Sequence, residues 1–199
     1  MTAKIDWNYP APRPGWPGEL DKFFGPGTSP LEFWMIGIFS VTSGALLFLY
    51  ALLAHLDWTA IQYVIATLLA IDIAGGVVTN ATPAAKRWYH RAGQGFTAHF
   101  MFIAVHLVYI FLVAWLFRSM DWLFMVTWSA CLLGATTIIL KTPLYLQRSI
   151  ALGLFAISIP INSYVFSPTR GLEWFIPVLF LKLLVSHLLR EEPYQPATE

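Results

Sequence analysis

Charge is scarce in this sequence. Asp, Glu, Lys and Arg make up 12% of it, about half the roughly 25% usual in soluble domains. By contrast, 57% is hydrophobic and 16% aromatic, so lipid rather than water is the solvent this chain suits. The net charge of +1 lacks the basic excess that nucleic-acid binding requires, so nucleic acid is not an expected partner. Cysteine is almost missing. The lone Cys131 excludes an internal disulfide and any zinc or iron–sulfur site built from several cysteines of one chain. It lies in an apolar run and reads as a small buried hydrophobe. Sharp catalytic signatures are also missing. There is no H-E-x-x-H, phosphate loop, dinucleotide fingerprint or Gly-x-Ser-x-Gly elbow, and Gly93-Gln94-Gly95 is too short to cradle a nucleotide. Residues 1–30 have no apolar core of the kind a signal peptide needs. Pro10, Pro12, Pro14, Pro17, Pro26 and Pro30 make them an irregular arm. Trp7, Trp16, Phe23 and Phe24 suit its lying on the membrane surface or packing against the helices.

Long apolar runs are what the chain does have. About 20 apolar residues are needed for a helix to cross the hydrocarbon core, and six windows qualify: 31–56, 58–79, 98–117, 122–140, 149–166 and 172–189. Pro160 and Asn162 interrupt the fifth and Pro177 the sixth; such prolines kink membrane helices without forbidding them. The expected fold is an all-α integral membrane protein, a six-helix bundle. It divides into an arm at 1–30, a membrane domain at 31–190 and a tail at 191–199. Basic residues set the orientation. With the N-terminus inside, Lys4, Arg13, Lys22, Lys86, Arg87, Arg91, Lys141, Arg148 and Arg190 fall inside, whereas only Arg118 and Arg170 fall outside. The positive-inside rule then places both termini in the cytoplasm, with a prokaryotic cytoplasmic membrane the expected location.

The 80–97 loop carries its own signal. Thr82 before Pro83 is an N-cap and first-turn pair, so 83–91 reads as a short interfacial helix ended near Gly93. Trp88 and Tyr89 beside Lys86, Arg87 and Arg91 suit headgroup level, as a membrane anchor or a holder of an anionic group. His90 on this helix reads as solvated and His55 as interfacial.

Ionisable residues within membrane spans are costly and mark functional sites. Asp72, His106 and Lys182 each lie eight residues from the inner end of their helix, about 12 Å deep. Three helices thus bring an acid, an imidazole and an amine to one level, where opposite charges offset burial. Asp72, Gly76 and Asn80 share one face, as do His99 and His106, and as do Lys182 and Ser186. The small Gly75–Gly76 pair lets a partner helix approach. A short connection between helices two and three favours Asp72 with His106 as the contacting pair.

Four function classes follow. In a membrane enzyme acting on a lipid or amphiphile, Asp72, His106 and Lys182 form the catalytic set. Asn80, Arg87, Arg91 and Arg148 hold substrate or an anion, and Asp72, His99 and His106 are the ligands of an optional divalent metal. A transporter or channel would use helices broken at Pro160 and Pro177, but the outer half offers no polar exit. Haem bound between His99 and His187 is a weaker alternative. A structural or assembly subunit without chemistry needs none of these groups, and a homo-oligomer is a further expected partner, through which six helices per chain could still form a pore. The bilayer is a partner in every class, and a lipid or small-molecule ligand in the first two.

Overall fold

A computed structural model describes residues 3–196. In chain order it contains β1 (Ala3–Ile5), α1 (Trp16–Phe24), α2 (Pro30–Leu53), α3 (Ala60–Ala81), α4 (Pro83–Tyr89), α5 (Phe96–Val105), α6 (Leu107–Phe117), α7 (Trp122–Lys141), α8 (Leu144–Tyr164), α9 (Phe175–Phe180) and β2 (Tyr194–Pro196). A π-helical segment, Leu181–His187, continues α9 without a break. Five helices are long and apolar enough to cross a membrane: α2, α3, the α5–α6 unit Phe96–Phe117, α7 and α8. The sixth apolar helix, Phe175–His187, is shorter. The chain is a multi-pass membrane protein.

Helix starts follow local chemistry. Ser29 and Glu32 form a capping box at α2, and Thr59 with Gln62 repeats it at α3. Thr82 Oγ1 accepts from Ala85 N at 3.3 Å, so α4 begins where the Thr-Pro pair predicts. α8 starts at Leu144, before the expected 149, because Pro143 fixes the turn and the helix then carries Arg148 in its second turn. Pro160 lies inside α8, which continues through it. Pro177 falls in the first turn of α9, where a missing N–H removes no helical bond.

The shorter helix is the centre of the bundle. Phe175, Ile176, Leu179, Phe180, Leu183 and Leu184 are buried all round it, as expected for a helix apolar on every side. α3, α7 and α8 pack directly against it. α2 stands outside and rests on α3, where small residues let the two backbones close in. A Cβ on Gly75 would meet Ser40 Oγ at 1.9 Å, and one on Gly44 would meet Ile71 at 2.5 Å. Elsewhere α2, α7 and α8 turn apolar side chains such as Leu31, Trp34, Leu123 and Ile157 outward, as lipid-facing surfaces do. Cys131 also faces outward on α7. That corrects the expectation of a buried thiol, because an apolar residue of a membrane helix is as well served by lipid as by core.

The two ends of the bundle differ. At one end the N-terminal arm folds over α4. Gly25, at φ 95°, lies so close that an added Cβ would meet the Ala84 backbone at 2.4 Å. β1 then pairs antiparallel with β2, Ile5 opposite Tyr194. At the other end Trp128, Phe124, Phe166 and Phe180 pack ring to ring, with centroids 5.4 to 5.9 Å apart.

Candidate functional site

α3 organises the polar groups. Asp72, Gly76 and Asn80 lie on one face of it, two helical turns from first to last. Asp72 Oδ2 accepts from Lys182 Nζ at 2.5 Å. The lysine stem crosses Gly76, where a Cβ would stand 2.3 Å from Lys182 Cε, so glycine here makes room for the lysine. Asn80 Nδ2 donates to Gly76 O at 2.9 Å, which turns Asn80 Oδ1 toward His187 Nδ1 at 3.3 Å.

Lys182 and His187 are five residues apart. In an α-helix they would point about 140° away from one another. The i→i+5 bonding of the π segment, as in Leu188 N to Leu183 O at 3.2 Å, brings residues at that spacing onto nearly one face. The π segment is therefore what presents both side chains to α3.

A hydrogen-bond relay follows. Asn80 Oδ1 can only accept, so His187 Nδ1 donates to it. His187 Nε2, 3.2 Å from His99 Nδ1, then accepts from His99. With no carboxylate bonded to either ring, the neutral tautomers are favoured in this buried setting. That assignment leaves His99 Nε2 with an open lone pair at the end of the relay. Phe102 stacks on His187 at 3.8 Å and 11°, fixing its plane.

α4 closes this cluster from the arm end. His90 Nε2 donates to His187 O at 3.0 Å. Lys86 Nζ donates to Ser186 O at 2.7 Å and Leu189 O at 2.6 Å, with Glu191 Oε2 at 3.4 Å. Three C-terminal carbonyls of the central helix are thus satisfied by α4, with a cation at the negative end of its dipole. Burial pushes the His90 imidazole down to about 3, with nearby His99 and Lys86 acting in the same direction. Burial also lowers Lys86, which Glu191 opposes.

The expected site residues divide among separate places. Asp72 meets Lys182 and not the His106 that the short connection favours. His106 does not join them by a hydrogen bond. It sits at the joint between α5 and α6, and its Nδ1 donates to Phe102 O at 2.7 Å. The favoured Asp72–His106 contact fails because α3 packs on the central helix more than on α5–α6. Among the described residues no three His, Cys, Asp or Glu side chains are placed to hold a metal ion; Asp72, His99 and His106 each bond elsewhere. His99 and His187 touch directly, with ring centroids 5.2 Å apart, which leaves no slot for a porphyrin between them. Asn80, Arg87, Arg91 and Arg148 are not brought together. Arg87 is 3% exposed beneath the arm, where burial lowers its pKa and the Glu32 and Asp6 carboxylates oppose that shift. Among the described residues its Nε and Nη1 have no hydrogen-bond partner. Arg91 stacks on Trp88 at 3.6 Å and bonds the Trp88 carbonyl. α4 is therefore a buried capping element, packed beneath the arm and against the end of the central helix. His90 is accordingly part of the cluster and not solvated.

A groove of about 250 Å³ runs between α2 and α3 and reaches Asp72. Phe23 and Phe24 of α1 stand at its arm end, Ile36, Gly37 and Ser40 along α2, and Gly75 and Gly76 along α3. The Asp72 side chain is 35% exposed there, while Lys182 behind it is 4% exposed. Asp72 Oδ2 is taken by the lysine; Oδ1 accepts no hydrogen bond among the described residues, and the Tyr109 hydroxyl stands near the same carboxylate. Comparison with protein-family models, with curated proteins and with solved structures finds no match to this chain, so the site is read from its own geometry.

Proposed function

We propose that the chain is a six-span membrane protein that takes an amphiphile from the bilayer into the α2–α3 groove and holds its polar group at Asp72. Both termini then lie on the cytoplasmic side. The β1–β2 pairing supports an even number of crossings. The gathering of the arm, α4, Arg148 and Arg190 at that end, with Arg118 and Arg170 at the other, supports the inward orientation. The observation that carries the binding reading is the groove itself, which opens sideways between two helices and ends on a carboxylate. Asp72 Oδ1 suits a hydroxyl or ammonium donor on the ligand, with Lys182 fixing the carboxylate from behind. The Asn80–His187–His99 relay supplies a proton acceptor at His99 Nε2, which supports acid–base work in the same half of the bundle. The aromatic packing around Trp128 argues against a channel, since it leaves no polar path through the far half.

The test is mass spectrometry of lipids and small molecules extracted from the protein purified in mild detergent. An added Cβ on Gly37 meets nothing within 4 Å, so Gly37→Phe fills the groove without crowding the helices. Both Gly37→Phe and the double variant Asp72→Asn/Lys182→Met are expected to lose a hydroxyl- or amine-bearing amphiphile that the unaltered chain retains. Equal retention by all three proteins rejects the reading.

A further inference from the structure

A second cavity, of about 560 Å³, lies at the arm end of the bundle, apart from the groove. Three stretches distant in sequence wall it: the α3–α4 corner at Ala81 and Pro83, the start of α8 at Leu144 and Arg148, and the C-terminal segment from Leu189 to Tyr194. Lys86, Arg148 and Arg190 face two carboxylates, Glu191 and Glu192, so one positive charge is in excess. The carboxylates already have partners. Glu191 lies 3.4 Å from Lys86 Nζ, and Glu192 accepts from Tyr194 Oη at 2.8 Å. Arg148 and Arg190 form no salt bridge among the described residues. The Arg190 guanidinium rests on the Trp7 ring at 4.6 Å, which holds it in place and leaves its donors open. The N-terminus of α8, which no side chain caps, opens on the same wall.

We propose that this cavity binds a phosphate anion, held by Arg148 and Arg190 and by the first-turn amides of α8. Guanidinium is always charged, and its planar donors match two phosphate oxygens. A helix N-terminus adds a fixed partial positive charge on the third side. Leu144 and Leu189 beside the cations suit the glycerol and first methylenes of a phospholipid, so a headgroup and a free phosphate share this chemistry. Trp7, beneath the Arg190 guanidinium, suits the interfacial depth at which a headgroup lies. The orientation proposed above decides only which leaflet supplies it.

The experiment compares the full chain with Arg148→Gln/Arg190→Gln, both purified in a neutral detergent. Native mass spectrometry follows binding of phosphatidylglycerol against phosphatidylcholine, and thermal unfolding follows sodium phosphate against sodium chloride at equal ionic strength. Phosphatidylglycerol affinity is expected to fall at least about tenfold in the double variant, as losing charge-assisted hydrogen bonds implies. Stabilisation of the unaltered chain by phosphate alone identifies a free anion as the ligand, and selective retention of phosphatidylglycerol without it identifies a headgroup. Ala81→Phe, which intrudes on the cavity and keeps both arginines, loses the same binding; Arg170→Gln at the far end keeps it. Failure of the unaltered chain to bind either probe overturns the proposal, as does undiminished binding by the double variant or by Ala81→Phe.

Discussion

Asp72 and Lys182 share an ion pair but not an environment. The ammonium is buried, whereas the carboxylate reaches the groove, at 4% and 35% side-chain exposure. Removing one partner of a buried pair strands the other, at about 3–5 kcal/mol, while replacing both with neutral groups costs less. Asp72→Asn strands the buried lysine, so it is expected to destabilise the protein by the larger amount. Lys182→Met strands only the carboxylate at the groove and should cost less, and the double variant should recover part of the Asp72→Asn loss. Thermal unfolding in one detergent checks this order; equal losses for the two single variants would contradict the unequal burial. The pairing was half legible in the sequence. A fixed helical rise sets depth, so Asp72, His106 and Lys182 fall at one level by counting alone. Which helix neighbours which depends on side-chain fit across the bundle, and counting carries no information on that. The short connection between helices two and three is the one neighbour signal in the sequence, and it favours His106 over Lys182 as the partner of Asp72. His90 reads as solvated in the sequence for a related reason. Its basic and aromatic neighbours look interfacial, and only the position of the central helix end explains their burial.

α4 and the π segment act together at the scale of elements. α4 caps the central helix through Lys86 and His90, and the π segment turns Lys182 and His187 toward α3. His90 is held neutral by burial down to about pH 3, whereas the unfolded imidazole titrates near 6.5. The unfolded chain therefore takes up a proton first, and stability falls as pH drops from about 6.5 toward 3, by up to ~1.4 kcal/mol per unit. His90→Gln should flatten that slope while leaving stability at pH 8 little changed, because glutamine can still donate to His187 O. Chemical unfolding at stepped pH measures it; an unchanged slope in the variant removes His90 from the cause. Most long helices are readable because they are apolar runs of the length a span needs, and α4 because Thr82 and Pro83 mark its start. The π segment is not. A helix that is apolar all round gives no phase in the sequence, and α-helical spacing pairs Lys182 with Ser186 rather than with His187.

For the whole molecule, the number of crossings rests on the shortest helix. Phe175–His187 falls below the length that lipid-exposed spans need, but it is enclosed by longer helices, so irregular backbone at its ends meets protein rather than hydrocarbon. On the six-span proposal it crosses and returns the chain to its starting side, a return that the pairing of β1 with β2 supports. The direct check is a disulfide. Ile5 and Tyr194 are paired positions of an antiparallel ladder, whose Cα separations of about 4.5–5.5 Å lie within disulfide range. Cys131 faces outward, so Cys131→Ala provides a background without competing thiols. In that background Ile5→Cys/Tyr194→Cys is expected to cross-link on mild oxidation, giving a faster band on a non-reducing gel that reverts with reductant. On the orientation proposed above, the reduced pair in intact cells should resist a membrane-impermeant maleimide and react once the membrane is opened. Absence of the cross-link would separate the termini and leave an odd number of crossings open. Cross-linking together with labelling from outside would keep the six spans and invert the molecule, placing the Arg148–Arg190 cavity in the outer leaflet.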